Sequence, residues 1–244
     1  MALPKISSPI FELKLPLSKK IIRYRPFLVK EEKILLMAIE ANDEPTIINS
    51  IKQIVSNCCL DKVDVDKIPI LDLEFLFLNL RAKSVGEVVE LHYKCNNNVT
   101  DETGNTKKCN HVNPITINLY DIKPEISNDD INKIDLGNDI GIVMTYPNFH
   151  MVSGAFSGSQ IEIMMSIIVK CIDYIYDKDD IYYAKDTPKQ ELEDFIESLS
   201  REQFAKIQHF FDSIPRLKKT VEFKCNKCGY VEEIVVEGLQ SFFG

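Results

Sequence analysis

Four cysteines constrain this chain more than any other feature: Cys95 and Cys109 near the middle, Cys225 and Cys228 towards the end. The two pairs stand in similar settings. Glu87-Val88-Val89-Glu90-Leu91-His92-Tyr93-Lys94-Cys95 resembles Lys219-Thr220-Val221-Glu222-Phe223-Lys224-Cys225, and Cys109-Asn110-His111-Val112 resembles Cys228-Gly229-Tyr230-Val231. Each half reads as a strand, a Cys, a loop, a second Cys and a strand. The loop is a tight C-x-x-C knuckle in the second half and is enlarged to thirteen residues rich in Asn, Lys and Gly in the first. Two such hairpins side by side offer four thiolates to one tetrahedral ion, the donor set of a closed structural zinc site. Cys95, Cys109, Cys225 and Cys228 are therefore the expected ligands of a structural Zn2+, with His111 as an alternative to Cys109. A zinc tetrathiolate carries a formal charge of −2, and Lys94, Lys107, Lys108, Lys224 and Lys227 lie beside the ligands, where they favour thiolate over thiol.

Other uses of the cysteines fit less well. A redox C-x-x-C places its first Cys at a helix N-terminus, but Gly229 to Glu237 reads as strand. Seven cysteines is an odd number, and Met1 to Lys20 lacks the apolar block of a secretory signal, so a reducing compartment and metal ligation are expected before disulfides. Cys58, Cys59 and Cys171 lie among Ile and Val at helical spacing and read as buried thiols. A composition of 45% hydrophobic and 27% charged residues over 244 positions is that of a globular chain able to build its own core. Its net charge of −8 gives no long-range attraction for a phosphate backbone, so no nucleic-acid partner is expected. No run approaches the roughly 18 apolar residues of a membrane span, the longest, Ile68 to Leu80, being interrupted by Asp72, Glu74 and Asn79.

The remaining elements follow from periodicity. Alternation around Ser18-Lys19-Lys20 predicts an opening β-hairpin within 10–29. Ile34, Leu35, Ala38 and Ile39 after Glu31-Glu32 predict one helix, and the set Ile47, Ile48, Ile51, Ile54, Val55 and Cys58 a second. Ile68 to Lys83, apolar on nearly every side, predicts a buried central helix. Residues 121–138 read as a polar loop, Ile140 to Tyr146 as a strand, and Met151 to Gln160 as a loop before a helix whose stripe runs from Ile161 to Ile175. Thr187-Pro188-Lys189-Gln190 and Ser200-Arg201-Glu202-Gln203 both match the capping box that opens a helix.

Sites of catalysis are not evident. Ser153 to Ser159 is glycine-rich but lacks the Gly-Lys-Ser/Thr of a phosphate loop, and His92, His150 and His209 have no nucleophile or metal partner at motif spacing. The carboxylates of Asp177 to Asp180 and Glu191 to Glu197 lack calcium-loop spacing and read as solvated faces. Leu239, Phe242 and Phe243 differ from these, because apolar residues beyond the last strand, two of them Phe, need a surface to cover them, either this chain's core or a partner's groove.

Three segments together carry a resemblance: Tyr24-Arg25-Pro26-Phe27-Leu28-Val29-Lys30-Glu31-Glu32-Lys33-Ile34-Leu35-Leu36; Ile70-Leu71-Asp72-Leu73-Glu74-Phe75 leading to Lys83-Ser84-Val85-Gly86-Glu87; and Phe223-Lys224-Cys225-Asn226-Lys227-Cys228-Gly229 with Gly238-Leu239-Gln240-Ser241-Phe242-Phe243. In these the chain resembles the baseplate hub proteins of T-even-like bacteriophages, the hub subunit and the hub assembly catalyst. The resemblance implies a non-enzymatic assembly protein whose partners are other hub proteins. It would act in the host cytoplasm while the hub is built, with the virion tail baseplate as a further location and a homo-oligomer as a further assembly. No catalytic residue comes with it, and the zinc site rests on cysteine spacing alone. The expected fold is α+β. A hairpin and helices occupy 1–86, a discontinuous zinc-ribbon-like antiparallel module 87–120 and 218–238, a mainly helical insertion 121–217, and an aromatic tail 239–244. The competing functional reading is a zinc-ribbon nucleic-acid-binding regulator, prompted by the four cysteines and their flanking lysines.

Overall fold

The computed structural model describes residues 6–41, 43–100, 104–126, 131–152 and 159–238. Strands β1 (Phe11–Lys14) and β2 (Ile21–Tyr24) form the opening hairpin, with Phe11 opposite Tyr24 and Lys14 opposite Ile21. Helices α1 (Val29–Ala41) and α2 (Glu44–Cys58) follow, the second started by the Asp43 side chain, which accepts the Thr46 N–H. Helix α3 (Ile70–Ser84) has eight buried residues spread around its circumference, as its all-round apolar run requires. Next come β3 (Val88–Lys94), the short pair β4 (Asn98–Thr100) and β5 (Thr106–Lys108), and β6 (Val112–Asn118). Strands β7 (Lys133–Gly137) and β8 (Ile140–Met144), helices α4 (Phe149–Val152) and α5 (Gln160–Lys170), and strands β9 (Ile172–Tyr176) and β10 (Ile181–Tyr183) lead to α6 (Lys189–Glu197) and α7 (Arg201–Asp212). Two long strands end the described chain, β11 (Lys218–Lys224) and β12 (Val231–Glu237). The fold is α+β, and every sheet among the described residues is antiparallel.

The described residues fall into two compact units. The first comprises those of Met1–Val63, Leu71–Glu125 and Arg216–Gly244. Its hydrophobic core joins Leu71, Leu78 and Ala82 of α3 to Val89, Ile117 and Phe223 of the long strands. Two fully buried carboxylates tie down its N-terminal part. Asp72 accepts the backbone N–H groups of Leu17 and Ser18 at 2.7 and 2.8 Å, so the hairpin turn hangs on α3. Glu31 accepts the Leu28 N–H at 2.8 Å, closing the first turn of α1, and pairs with Arg25 at 3.0 Å.

The second unit comprises Asp64–Ile70 and the described residues of Ile126–Pro215. It contains a four-stranded sheet in the order β10-β9-β8-β7, and its core packs Ile134, Ile142 and Ile175 of that sheet with Ile168, Ile196 and Phe210 of the helices. A strap from the first segment is stitched on by backbone bonds from Ile70 N–H to Pro147 O and from His150 N–H to Asp66 O, both 3.0 Å.

Several expectations within this second unit need correction. The helical stripe Ile161 to Ile175 is broken: α5 stops at Lys170, and Ile172 to Tyr176 is strand β9, paired with both β8 and β10. A short run of β-branched and aromatic residues fits either period, and the flanking strands decide it. The polar loop expected over 121–138 contains β7, whose two inward residues, Ile134 and Leu136, are too few to show as alternation among the charges. Thr187 does not cap α6. Pro188 takes the N-cap position, and the Thr187 hydroxyl donates to Tyr183 O instead. The box at Ser200 does form in both directions, Gln203 N–H to Ser200 Oγ and Ser200 N–H to Gln203 Oε1, and a second box joins Ser159 and Glu162 at the start of α5. Residues 153–158 of the glycine-rich segment, and Leu239, Phe242 and Phe243, lie outside the described residues.

Candidate metal centre

The two cysteine-bearing hairpins have the same backbone design. Strands β3 and β6 pair over seven positions, from Val88 opposite Asn118 to Lys94 opposite Val112, and β11 and β12 do the same from Lys218 opposite Glu237 to Lys224 opposite Val231. The hydrogen bonds at their tips also match. Cys95 N–H donates to His111 O at 2.9 Å where Cys225 N–H donates to Tyr230 O at 2.8 Å. Asn110 N–H donates to Cys95 O at 3.0 Å where Gly229 N–H donates to Cys225 O at 2.9 Å. The residue after the second cysteine is left-handed in both, Asn110 at φ 52° and Gly229 at φ 72°, the conformation that Gly and Asn reach most readily. The extra residues of the first hairpin are accommodated without altering its knuckle, and part of them fold back as β4 and β5. Two residues before each first cysteine, Tyr93 and Phe223 meet edge to face with ring centroids 4.7 Å apart.

This geometry brings the sulfurs of Cys95, Cys109, Cys225 and Cys228 within 4.8 Å of one another. Cys95 Sγ is 3.7 Å from Cys228 Sγ, and Cys109 Sγ is 3.8 Å from Cys225 Sγ. Sulfurs about 2.3 Å from a tetrahedral ion stand about 3.8 Å apart, so these separations suit a metal ion, and all four thiols are free. Cys95 and Cys225 are buried, while Cys109 and Cys228 are partly exposed. His111 is not in the group. Its carbonyl accepts the Cys95 N–H and its own N–H donates to the Cys109 sulfur, so it shapes the knuckle through its backbone.

The site favours charge at one sulfur above the others. Burial opposes ionisation of Cys225, but the N–H groups of Cys228 and Lys227, the Cys228 thiol and the Asn113 amide outweigh it and lower the Cys225 pKa. Cys95 is pushed the other way, by burial and by sharing its proton with the neighbouring sulfurs. Four thiolates so close together need a cation to coexist. The five flanking lysines, Lys94, Lys107, Lys108, Lys224 and Lys227, are exposed around the knuckles. The other cysteines contrast with these: burial raises Cys58 to about 11 and Cys59 and Cys171 to about 12, the chemistry of inert thiols.

Two residues that spacing alone did not single out also reach the cluster. Asn113 Nδ2 lies 3.7 Å from Cys225 Sγ, and Asn97 Nδ2 lies 3.7 Å from Cys228 Sγ. Of the other histidines, exposed His92 stands beside Glu90, and exposed His209 of α7 stands beside Ser213.

Residues 8–244 match the family model described as T4 bacteriophage base plate protein. The chain belongs to this family. The match takes in all four cysteines and both units, so the base plate assignment applies to the whole arrangement described above. No curated protein and no solved structure matches the chain. As a base plate protein its place is in the phage tail and its business is with other base plate proteins. Among the described residues, no helix is long and apolar enough to cross a membrane.

Proposed function

We propose that this protein is a non-enzymatic assembly component of the central hub of a contractile-tail baseplate, and that a structural zinc ion held by Cys95, Cys109, Cys225 and Cys228 clips its two ribbons together. The observation that carries the reading is the four-sulfur cluster inside a chain matched almost end to end by a base plate family. Four thiolates fill a tetrahedral ion and leave no position for a substrate, so the metal's contribution is cohesion. Zinc binding in peptide models is worth about 10–16 kcal/mol, more than any single packing contact. The clip would fix the C-terminal ribbon to the ribbon formed by 88–118, giving the hub a rigid surface.

The chain would assemble in the host cytoplasm and then take its place in the tail. Its contacts with neighbouring hub proteins would be made by the N-terminal hairpin and by the aromatic tail, with Leu239, Phe242 and Phe243 as anchors, and self-association would be a further mode. The decisive experiment mixes the purified chain with the other hub proteins, with and without zinc. A discrete complex supports the reading, and none under either condition overturns it. Native mass spectrometry of the chain alone tests the clip: one zinc per chain, lost on Cys225→Ser or Cys228→Ser, supports it, and a folded metal-free chain overturns it. The exposed lysines favour one rival, a nucleic-acid-binding zinc ribbon, for which binding that weakens steeply with salt would be the signature.

A further inference from the structure

The hydrogen bonds around the cluster are distributed unevenly between the ribbons. Each first cysteine takes N–H donors from its own knuckle: Cys95 from Asn97, Cys225 from Lys227 and Cys228. The side-chain amides, by contrast, both come from the first hairpin and both cross to the second. Asn97 Nδ2 reaches Cys228 Sγ and Asn113 Nδ2 reaches Cys225 Sγ, each at 3.7 Å. Asn113 is 1% exposed, and its other bonds bind it to both sides as well, with Nδ2 donating to His111 O at 3.1 Å and Oδ1 accepting the Asn226 N–H at 2.8 Å.

The internal similarity sharpens the contrast. Asn113 is opposite Tyr93 in its hairpin, and the matching residue of the second hairpin, opposite Phe223, is Glu232. The Glu232 carboxylate bonds the Tyr93 hydroxyl and has a buried oxygen, Oε1, with no partner. An amide thus stands where the repeat could have placed a carboxylate, and it stands where anionic sulfur needs a donor.

We infer that Asn97 and Asn113 are positioning residues of the metal centre, donating across from the first ribbon to both sulfurs of the Cys225-x-x-Cys228 knuckle. The inference rests on the metal reading above and adds to it. Amide donors draw charge from thiolate sulfur, which tempers the −2 of a tetrathiolate and fixes the direction of each sulfur lone pair. Asn113 would also hold the knuckle through Asn226 whether or not the ion is bound, adding a bond from the first ribbon to those the C-x-x-C turn makes within itself.

Cobalt(II) is the probe, because thiolate-to-cobalt charge-transfer absorption reports the electron density on sulfur. The full chain, Asn97→Ala and Asn113→Asp would each be loaded with cobalt and titrated against a chromophoric chelator. Loss of an amide donor should move the charge-transfer band to lower energy and weaken metal binding by about 10–100-fold, more for Asn113→Asp, where the donor is replaced by a charge. A band that stays in place together with wild-type affinity in both variants would overturn the inference. If Asn113→Asp does not fold, Asn97→Ala decides the matter, since Asn97 is only partly buried and its band must still shift. A wild-type chain that takes up neither cobalt nor zinc would overturn the metal reading too, whereas wild-type uptake with unmoved variants overturns this inference alone.

Discussion

At the scale of single residues, the clearest tests come from positions where the same physics acts twice with different outcomes. Asn110 and Gly229 hold matching left-handed positions in the two knuckles, and a Cβ at Gly229 would meet nothing within 4 Å, so only backbone strain is at stake. Gly229→Asn should therefore leave the denaturation midpoint nearly unchanged, while Gly229→Val should cost about 1–2 kcal/mol by chemical unfolding. Two carboxylates of the first unit titrate in opposite senses. Burial alone would raise the Glu31 pKa, but Arg25, the Leu28 N–H and Lys30 hold it below the usual range, so its stabilisation is full above that range and is lost as pH falls through it. Glu74 is pushed up to about 7, by burial first and by the charge of Glu237 next, against the pull of Arg216. Its charge therefore costs stability progressively as pH rises from about 4.5 to 7. Glu74→Gln should be more stable than wild type at pH 8, by on the order of 1–2 kcal/mol, with the advantage gone near pH 4. Glu31→Gln should be less stable at pH 8 and should show a flatter acid limb. Unfolding curves across pH would check both signs.

At the scale of elements, the capping motifs separate pattern from structure. Thr187 and Ser200 stand in the same sequence motif, yet only Ser200 bonds its helix. Ser200→Ala should destabilise the protein by about 1 kcal/mol, and Thr187→Ala should cost clearly less, because the bond it loses is an exposed one to Tyr183 O. Equal losses would mean that the α6 cap forms in solution after all. Periodicity identified the elements whose environment is one-sided, such as α2 and the long strands with their alternating inward residues. It missed β7 and the strand half of the Ile161 to Ile175 stripe, where a few apolar residues between charges fit either period until neighbouring strands claim them.

At the scale of the whole molecule, the clip predicts an uneven response to metal removal. A strong chelator should raise backbone hydrogen exchange in 88–100, 104–118 and 218–238 and leave 131–152 and 159–215 protected, because the second unit has a core of its own. Uniform loss of protection would contradict that division. The sequence by itself determined the cysteine-bearing strands, the repeated knuckle and the family resemblance, because each is written in residues close together in the chain. Only the tertiary structure decided that the four sulfurs meet, that Asp72 is a buried anchor for the hairpin turn, and that Asn97 and Asn113 face sulfur. Those facts depend on partners such as Asn113 and Cys225, 112 residues apart, and the spacing of residues along a chain does not say which distant groups folding will bring within hydrogen-bond reach.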